Sequence, residues 1–462
     1  MPDNPPTIVH IAYPTWRKNA LVALARAKEL QEQGESVLIT HCAATFGTCA
    51  VNYLANPLTC AACKRLVRQN TSQLGLPLVE LDPSRIEPDV ASLQVENTEL
   101  KEAMEEGVTS GLISAFRMLP DDMRDSKRIS RIRSRYLANA YGLYSQLLAL
   151  ARSRHAARIE VFNGRHACSR FCLSVAEVLG LPFNTMEVTA CGKPAVFAGH
   201  RPHDRRNIQK RVLSYPADYE IAERYYGRRQ APTSNKFAKK HGGGFTPPDA
   251  NAWSKRISVF LSSQDEFESL GPDWRSPFAD YASVLRDVVR RNPDKLFCIR
   301  FHPNQAAMTS DVVTPFSSIE SLPNTQVYYP DATVDSYGLM QWSDWVVTFG
   351  STVAVEACWM GKPSVILGPS YYDGLDVAYV PNSIDQLCDL LKQDLPAKSR
   401  DNAARWATYA TNDGDDFAYI DYDGRNIHPK GFAHRGLIST RVARGLNNFA
   451  CHAIRKLNRK AA

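Results

Sequence analysis

Short β-branched runs and longer stretches with a helical period alternate along the chain. The first series consists of "TIVHIAY", a predicted strand, "NALVALARAKELQEQG", a predicted helix ending at Gly34, and "SVLIT", a second strand. The same order returns in "RIEVFNGR", "ACSRFCLSVAEVLG" and "PFNTMEV". Strands that alternate with helices are typical of parallel sheets, so the pattern predicts an α/β fold.

A second alternating series begins near residue 255 and ends with "WVVTFGSTVAVEACWMGKPSVIL", which predicts a strand, a corner, a short helix and another strand. Between the two series, residues 216–254 are rich in Gly, Pro, Lys and Asn and predict a linker or a mobile loop. We therefore predict two Rossmann-like domains facing each other across a cleft. Their predicted limits are 1–215, with a Cys-rich insertion, and 255–392, and residues 393–462 are predicted to pack across both domains.

Composition and charge narrow the class of protein. Of the 462 residues, 44% are hydrophobic and 22% are charged, which favours folded domains over disorder. The sequence contains no uninterrupted apolar stretch of about 18 residues, so a membrane-spanning helix is not predicted. The N-terminal sequence also lacks a signal-peptide pattern, and we therefore expect a cytoplasmic protein. The net charge of +7 is spread among acidic residues except near 201–211 and in the last twenty residues, which disfavours nucleic acid as the partner.

The corner in the last quoted segment carries the first candidate chemistry. Gly350 would let a ligand approach the backbone closely. Ser351 and Thr352 could bind phosphate at the helix start, or could merely cap the helix. Glu356, one turn further along, could accept hydrogen bonds from ribose or sugar hydroxyls.

Two other predicted strands of the second half also end in polar side chains. Arg300, His302 and Asn304 follow one strand, and Ser262 and Ser263 follow another. A guanidinium and an imidazole suit an anionic phosphate, although a histidine there could also be an ordinary turn residue. Because ligands of open parallel sheets bind beyond the carboxyl ends of the strands, these segments together predict a site for a nucleotide-sugar donor.

Several of these motifs also resemble a known family. "FLSSQDEFESLGPDW", "RFHPN" and "WVVTFGSTVAVEACWMGKPSVILG" resemble the nucleotide-binding domain of GT-B fold glycosyltransferases of bacterial capsule and surface polysaccharide biosynthesis. "VFNGRHACSRFCLSVAEVLGLPFNTMEV" and "GHRPHD" in the first half resemble the same family, so the resemblance covers about 160–205 and 255–372. It implies metal-independent transfer of a sugar from a nucleotide-activated donor, held by the second half, to a growing surface polysaccharide or other glycan, held by the first. The His-Pro and Ser-Thr pairs are similar to those that hold CMP in sialyl- and Kdo-transferases, which favours a CMP-sugar.

Transfer to a hydroxyl group needs a base that takes its proton. The pair His203 and Asp204 is the first candidate and Glu187, at the end of a strand, is the second, although each could be an ordinary loop or solvated residue. Cationic and amide side chains nearby could recognise an anionic acceptor or donor carboxylate. The candidate acceptor-binding residues are Asn163, Arg165 and Arg170.

The cysteines and the C-terminal segment suggest two further partners. Cys42, Cys49, Cys60 and Cys63 include one CxxC step, which is half of a common zinc site, so a structural zinc and ordinary reduced cysteines both stay open. The segment "RVARGLNNFACHAIRKLNRKAA" is amphipathic and basic. It is compatible with a peripheral inner-membrane contact or with a helix that packs across the domains.

Two other functions are compatible with the same motifs. A glycerophosphotransferase of the CDP-glycerol type would use the same phosphate-binding groups. A non-catalytic protein that binds nucleotides is also compatible, as is a nucleic-acid-binding protein that uses the basic residues 201–211.

Overall fold

The computed structural model describes residues 4–84, 98–230, 244–278, 280–433 and 437–459. It divides the chain into two compact units. Unit 1 comprises Met1–Asp204 and Asp413–Ala462, and unit 2 comprises Arg205–Asn412. Unit 2 is therefore inserted between the two parts of unit 1.

Each unit contains one main parallel sheet. In unit 1 its strands are β1 (Thr7–His10), β2 (Val37–Cys42), β3 (Leu78–Leu81), β4 (Arg158–Phe162), β5 (Phe183–Val188) and β6 (Pro194–Ala198). In unit 2 they are β7 (Lys255–Phe260), β8 (Lys295–Arg300), β9 (Thr325–Tyr328), β10 (Trp345–Thr348) and β11 (Ser364–Ile366). A short antiparallel pair, β12 (Ile420–Tyr422) and β13 (Ile427–Pro429), returns to unit 1.

The helices pack against these sheets. Unit 1 begins with α1 (Arg17–Glu32), α2 (Pro57–Leu74), α3 (Thr98–Phe116), α4 (Pro120–Asp125), α5 (Lys127–Ser153) and α6 (Ala167–Leu179). Unit 2 contains α7 (Arg205–Leu213), α8 (Tyr219–Gln230), α9 (Gln264–Glu268), α10 (Tyr281–Arg291), α11 (Ser317–Glu320), α12 (Ser336–Trp342), α13 (Val353–Trp359), α14 (Ile384–Leu391) and α15 (Asp401–Asn412). The final helix, α16 (Leu437–Arg459), belongs to unit 1.

The strand order of both sheets is Rossmann-like. Unit 1 has the order β3-β2-β1-β4-β5-β6, in which only β6 runs antiparallel to its neighbour, and unit 2 has the all-parallel order β11-β10-β7-β8-β9. In each sheet the first strand lies between its second and its fourth, which is the arrangement of doubly wound dinucleotide-binding folds. The predicted α/β class with two Rossmann-like domains is therefore confirmed.

Apolar residues explain why these segments form buried strands. Ile8, Ile159 and Val161 in unit 1 and Ile257 and Val259 in unit 2 are fully buried. Strands covered on both faces need such β-branched runs, which is the pattern from which they were predicted. No helix among the described residues is both long and apolar enough to cross a membrane.

The structure divides the chain differently from the predicted domain limits. Unit 1 ends at Asp204 rather than near residue 215, and the predicted linker, 216–254, contains α8 and residues that pack within unit 2. Helix α8 buries Ala222 and Tyr226, four residues apart, and the Tyr226 hydroxyl donates to Ala403 O at 2.9 Å. Two apolar positions were too few to reveal the helix, and 231–243 lies outside the described residues. The predicted segment 393–462 divides at Asn412, with its second part in unit 1.

Candidate functional site

Three neighbouring strands of unit 2 end level with one another. The register pairs Thr348 of β10 with Phe260 of β7, and Phe260 with Arg300 of β8. All three predicted donor-binding segments begin at or just after these positions. The strand order reverses between β7 and β10, and ligands of doubly wound sheets bind at this kind of switch point.

Arg300 is a buried guanidinium whose donors are incompletely used. Its side chain is 2% exposed, and Nε donates to Ser336 Oγ at 3.2 Å, whereas Nη1 and Nη2 have no hydrogen-bond partner among the described residues. Burial lowers the pKa of Arg300 to about 10, so the group remains charged at neutral pH. The Ser262 hydroxyl after β7 is also buried and lacks a partner in the described part of the chain. Since buried polar groups nearly always have partners, both are suited to an anionic ligand.

The other predicted residues that follow these two strands make hydrogen bonds within the loops. The Ser263 hydroxyl donates to Asp265 Oδ1 at 2.6 Å, and Asn304 Nδ2 donates to Glu266 Oε1 at 2.6 Å. His302 Nδ1 accepts from the backbone N–H of Asn304 at 3.1 Å. The neutral ring therefore carries its proton on Nε2, which can donate to an anion.

The corner after β10 requires glycine. Gly350 has a φ of +89°, and a Cβ atom there would lie 2.9 Å from both the Phe267 ring and Pro369 O. Ser351 Oγ accepts from the backbone N–H of Val353 at 3.3 Å, which is the local capping alternative raised by the sequence. Helix α13 has only seven residues, so its dipole is a weak source of phosphate affinity compared with a fixed cation.

Arg229 of α8 is a site residue that sequence analysis missed. Its Nε donates to Glu356 Oε1 at 2.8 Å and its Nη2 to Thr352 Oγ1 at 3.1 Å, so Thr352 contacts a cation instead of capping the helix. Burial by itself would lower the pKa of Arg229, but the carboxylate of Glu356, which is 4% exposed, raises it overall. Arg229 also lines a cavity of about 350 Å³ together with Tyr225. No sequence signal links positions that are 127 residues apart.

In unit 1 the structure brings together Asn163, Glu187 and His203. Asn163 follows β4 with a φ of +67°, and its Nδ2 donates to Glu187 Oε2 at 2.5 Å and lies 3.3 Å from His203 Nε2. Asn163 Oδ1 accepts from the backbone N–H of Arg165 at 3.1 Å. Burial raises the pKa of Glu187, whereas burial and the charge of Arg165 lower the pKa of His203 to about 3.

The two remaining predicted residues of unit 1 have other surroundings. Asp204 is its last residue before unit 2, and its backbone N–H donates to Arg201 O at 3.0 Å in a turn. Arg170 lies on α6, where its Nη2 is 3.5 Å from Glu106 Oε2 on α3. This contact of Arg170 joins two helices, and its role in acceptor binding stays a prediction.

The four cysteines of the predicted zinc site line one cavity of unit 1, with a volume of about 30 Å³. They are not arranged as a ligand set, because the described residues contain no group of three or more His, Cys, Asp or Glu side chains that could hold a metal ion. Burial also raises the pKa of Cys42 to about 12 and raises those of Cys49 and Cys63, which keeps these thiols protonated. The CxxC step lies on α2 with Cys60 and Cys63 packed inward, and the structural zinc stays a prediction.

The comparisons with known proteins identify part of the chain. Residues 261–388 match the family model described as capsule polysaccharide biosynthesis protein, and no curated protein matches the chain. Among solved structures it is similar to KpsC beta Kdo 2,4 transferase from Thermosulfurimonas dismutans, at 13% identity over 62% of this chain and 87% of that chain, with a TM-score of 0.36. It is also similar to KpsC beta Kdo 2,7 transferase from Thermosulfurimonas dismutans, at 15% identity over 65% of this chain and 89% of that chain, with a TM-score of 0.33. A third similar structure is a UDP-GlcNAc 2-epimerase from Neisseria meningitidis, at 12% identity over 88% of this chain and 99% of that chain, with a TM-score of 0.27.

The family model covers less than a third of the chain, and both units contain a Rossmann-like sheet. Two Rossmann-like sheets are the domain type of the GT-B fold, which the sequence resemblance implied. The matched part, 261–388, contains every donor-side candidate from Ser262 to Glu356. It includes neither Arg229 nor the candidates of unit 1.

Proposed function

We propose that the protein transfers a sugar from a CMP-activated donor, held by unit 2, to a glycan acceptor held by unit 1. The observation that carries the donor assignment is the buried guanidinium of Arg300, which has two unused donor nitrogens beside a sheet switch point. A phosphate would accept from both nitrogens, and charge-assisted hydrogen bonds of this kind are among the strongest in proteins. CMP is favoured over other nucleotides by the resemblance of the His-Pro and Ser-Thr pairs to CMP-binding transferases.

In the proposed reaction the acceptor oxygen forms a bond to the anomeric carbon while the bond from that carbon to the phosphate oxygen breaks. CMP leaves with an additional negative charge on its phosphate, which Arg300 and the Nε2–H of His302 stabilise. The acceptor hydroxyl loses its proton to a base in unit 1. The proposal thus assigns the charge compensation to side chains of unit 2.

We assign the base to Glu187 ahead of His203. A general base works best when its pKa lies near the working pH. Burial moves the pKa of Glu187 upward, toward neutrality, whereas it lowers the pKa of His203 to about 3, which makes the imidazole a weak base. Asn163 contacts both side chains and would orient Glu187.

The substitution Arg300→Met tests the donor site. Replacing a buried charge that lacks full compensation by an apolar side chain of similar length should leave the free energy of unfolding unchanged or raise it. Loss of one or two hydrogen bonds to a charged phosphate, at about 1.5–3 kcal/mol each, should weaken nucleotide binding at least tenfold. The melting temperature without ligand and the dissociation constant for CMP are the two measurements. Arg290→Met, at an exposed position of α10 in the same unit, is the control.

A thermal-shift panel of CMP, CDP, UDP and GDP identifies the nucleotide, because a ligand that binds the native state raises the melting temperature. If Arg300→Met binds the best nucleotide as tightly as Arg290→Met does, the donor assignment is wrong. A response to CDP-glycerol without a response to CMP would instead favour the glycerophosphotransferase.

We further propose that the acceptor is lipid-linked, so that the protein works next to the inner membrane. The support is the amphipathic and basic character of α16, whose sequence contains five Lys or Arg residues and no Asp or Glu.

A further inference from the structure

Helix α16 has two apolar faces, and only one of them is covered. The covered residues pack against α2 and α3 of unit 1 and are Ala443, Ala450, Cys451 and Ile454. The exposed residues are Val442, Leu446, Phe449 and Leu457. At 100° per residue the exposed set falls within an arc of about 80°, so it forms one stripe beside the covered face.

A second exposed apolar group adjoins this stripe. Phe46 and Leu54 precede α2 and Leu58 lies in its first turn, and these side chains are 68%, 51% and 69% exposed. The backbone N–H of Tyr53 donates to Asn447 Oδ1 at 3.1 Å, which holds the residue before Leu54 against the middle of α16. We call the seven side chains of the stripe and of this group the apolar patch.

The patch is concentrated, since it contains seven of the eight large apolar side chains that are exposed in the described part of unit 1. Single exposed apolar residues are normal, but a contiguous group marks an interaction site. The eighth, Val178 on α6, lies outside the patch.

The two segments that supply the apolar patch carry charge of only one sign. Residues 43–74 and Leu437–Arg459 contain eight Lys or Arg residues and no Asp or Glu, in a protein whose charges otherwise nearly balance at 55 and 48. Arg441, Arg444 and Lys456 of α16 and Arg65 of α2 are exposed. An apolar surface whose own segments carry cations and no anions is complementary to a bilayer that contains anionic phospholipid.

We propose that the apolar patch docks unit 1 onto the surface of an anionic phospholipid bilayer, with its side chains in the headgroup region and the flanking cations on lipid phosphates. A symmetric contact between two copies would bring this positive surface against itself, and the charge opposes that arrangement. The inference deepens the proposed function, because a lipid-linked acceptor would lie at the same surface. It rests on that proposal for its purpose, but the binding itself needs neither donor nor acceptor.

Vesicle flotation with the full chain tests the inference. Vesicles of phosphatidylcholine with a quarter phosphatidylglycerol should carry the protein upward, and pure phosphatidylcholine vesicles should carry little. About 0.5 M salt should reduce binding because it screens the charges. Phe449→Glu combined with Leu58→Glu should lower the bound fraction about tenfold or more, since two anionic groups would face the lipid. Val178→Glu, also an exposed apolar position of unit 1, should bind as the parent does.

The outcomes are separable from those of the proposed function. Absence of binding to the anionic vesicles, or equal binding by the double variant and by Val178→Glu, would overturn the inference. A dimer that the double variant dissociates would also overturn it, in favour of an interface between copies. The dissociation constant for the best nucleotide, measured on every variant, verifies that unit 2 is intact and tests the donor site independently.

Discussion

Glu187 and His203 show how one physical cause can separate the roles of two neighbouring residues. Desolvation disfavours the charged form of each group, so it raises the pKa of the carboxyl group and lowers that of the imidazole. Both contact the amide of Asn163. In the proposed reaction the general base is the group whose pKa moves toward neutrality, and that group is the carboxylate of Glu187.

This difference predicts unequal effects of two amide substitutions. Glu187→Gln should lower the rate at which the donor releases its nucleotide, with water as acceptor, by about 10²–10⁴-fold, which is the usual contribution of a general base. His203→Gln should lower it much less. The decrease in rate toward acid pH should be lost in Glu187→Gln, while the dissociation constant for the nucleotide stays unchanged in both. A larger loss in His203→Gln than in Glu187→Gln would return the base to the histidine.

At single positions, the surroundings of a side chain could be predicted best where it follows a strand end. Arg300 and Ser262 were selected because strand ends of parallel sheets meet ligands, and both are buried with unused polar atoms. The surroundings of Arg170, Cys60 and Cys63 could not be predicted, because a side chain on a helix can face either a site or the core and the local sequence does not decide between them. The role of Arg229 depends on a contact across 127 positions and could not be predicted from its neighbours.

Helix α8 shows the same limit for a whole element. Its sequence is rich in charge, and only Ala222 and Tyr226 are buried, so its composition resembles that of a linker. The strands β7, β8, β10 and β11 were recognisable because at least half of the residues in each are buried and apolar. In contrast, β3 was missed because its residues are mostly half-buried and include Glu80.

Helix α8 should matter for stability through its single ion pair with α13. Arg229→Ala leaves the buried carboxylate of Glu356 without its cation and should lower the free energy of unfolding of unit 2 by about 3 kcal/mol, the lower end for a broken buried pair. The lower end applies because the Arg229 side chain is 38% exposed. Urea titration measures the change.

Two companion variants identify the cause. Adding Glu356→Gln to Arg229→Ala should recover part of the loss, because the uncompensated charge is removed. Arg228→Ala, at the exposed position before it, should change stability by no more than about 0.5 kcal/mol. Equal losses in Arg228→Ala and Arg229→Ala would mean that the helix, and not the ion pair, is responsible.

For the whole molecule, buried histidines make the two units respond differently to acid. In unit 1, burial lowers the pKa of His10 to about 3 and that of His41 to about 4, and it lowers the pKa of His166 well below its usual value. Below pH 6.5 these histidines become protonated in the unfolded chain, whereas in the folded unit they remain neutral. Each such histidine therefore removes about 1.4 kcal/mol of stability per pH unit as the pH falls from 6.5 toward its folded pKa.

Calorimetry between pH 8 and pH 5 should accordingly show one transition that moves to lower temperature below pH 6.5 and one that moves less. The second should be the transition that the best nucleotide raises, because the nucleotide binds unit 2 in the proposed function. His155→Gln, at an exposed position of unit 1, should not alter the pH dependence. Parallel shifts of both transitions with pH would contradict this account.

The overall architecture was predictable and its division along the chain was not. Alternating strands and helices specify two Rossmann-like sheets because each element has its own local period. The limits of the units depend on which surfaces α7, α8 and the segment after Asn412 cover, and this is decided by tertiary packing.

The insertion of unit 2 between the two parts of unit 1 has a consequence for synthesis on the ribosome. The core of unit 1 includes Phe417, Ile420, Ile427, Cys451 and Ile454, which are translated after the whole of unit 2. Every residue of unit 2 has been joined to the nascent chain once Asn412 is added. Domains generally fold as units during translation. Unit 2 can therefore fold while the core of unit 1, to which the first 204 residues belong, is still incomplete. Unit 1 is therefore the first unit to begin synthesis and the last to complete its fold.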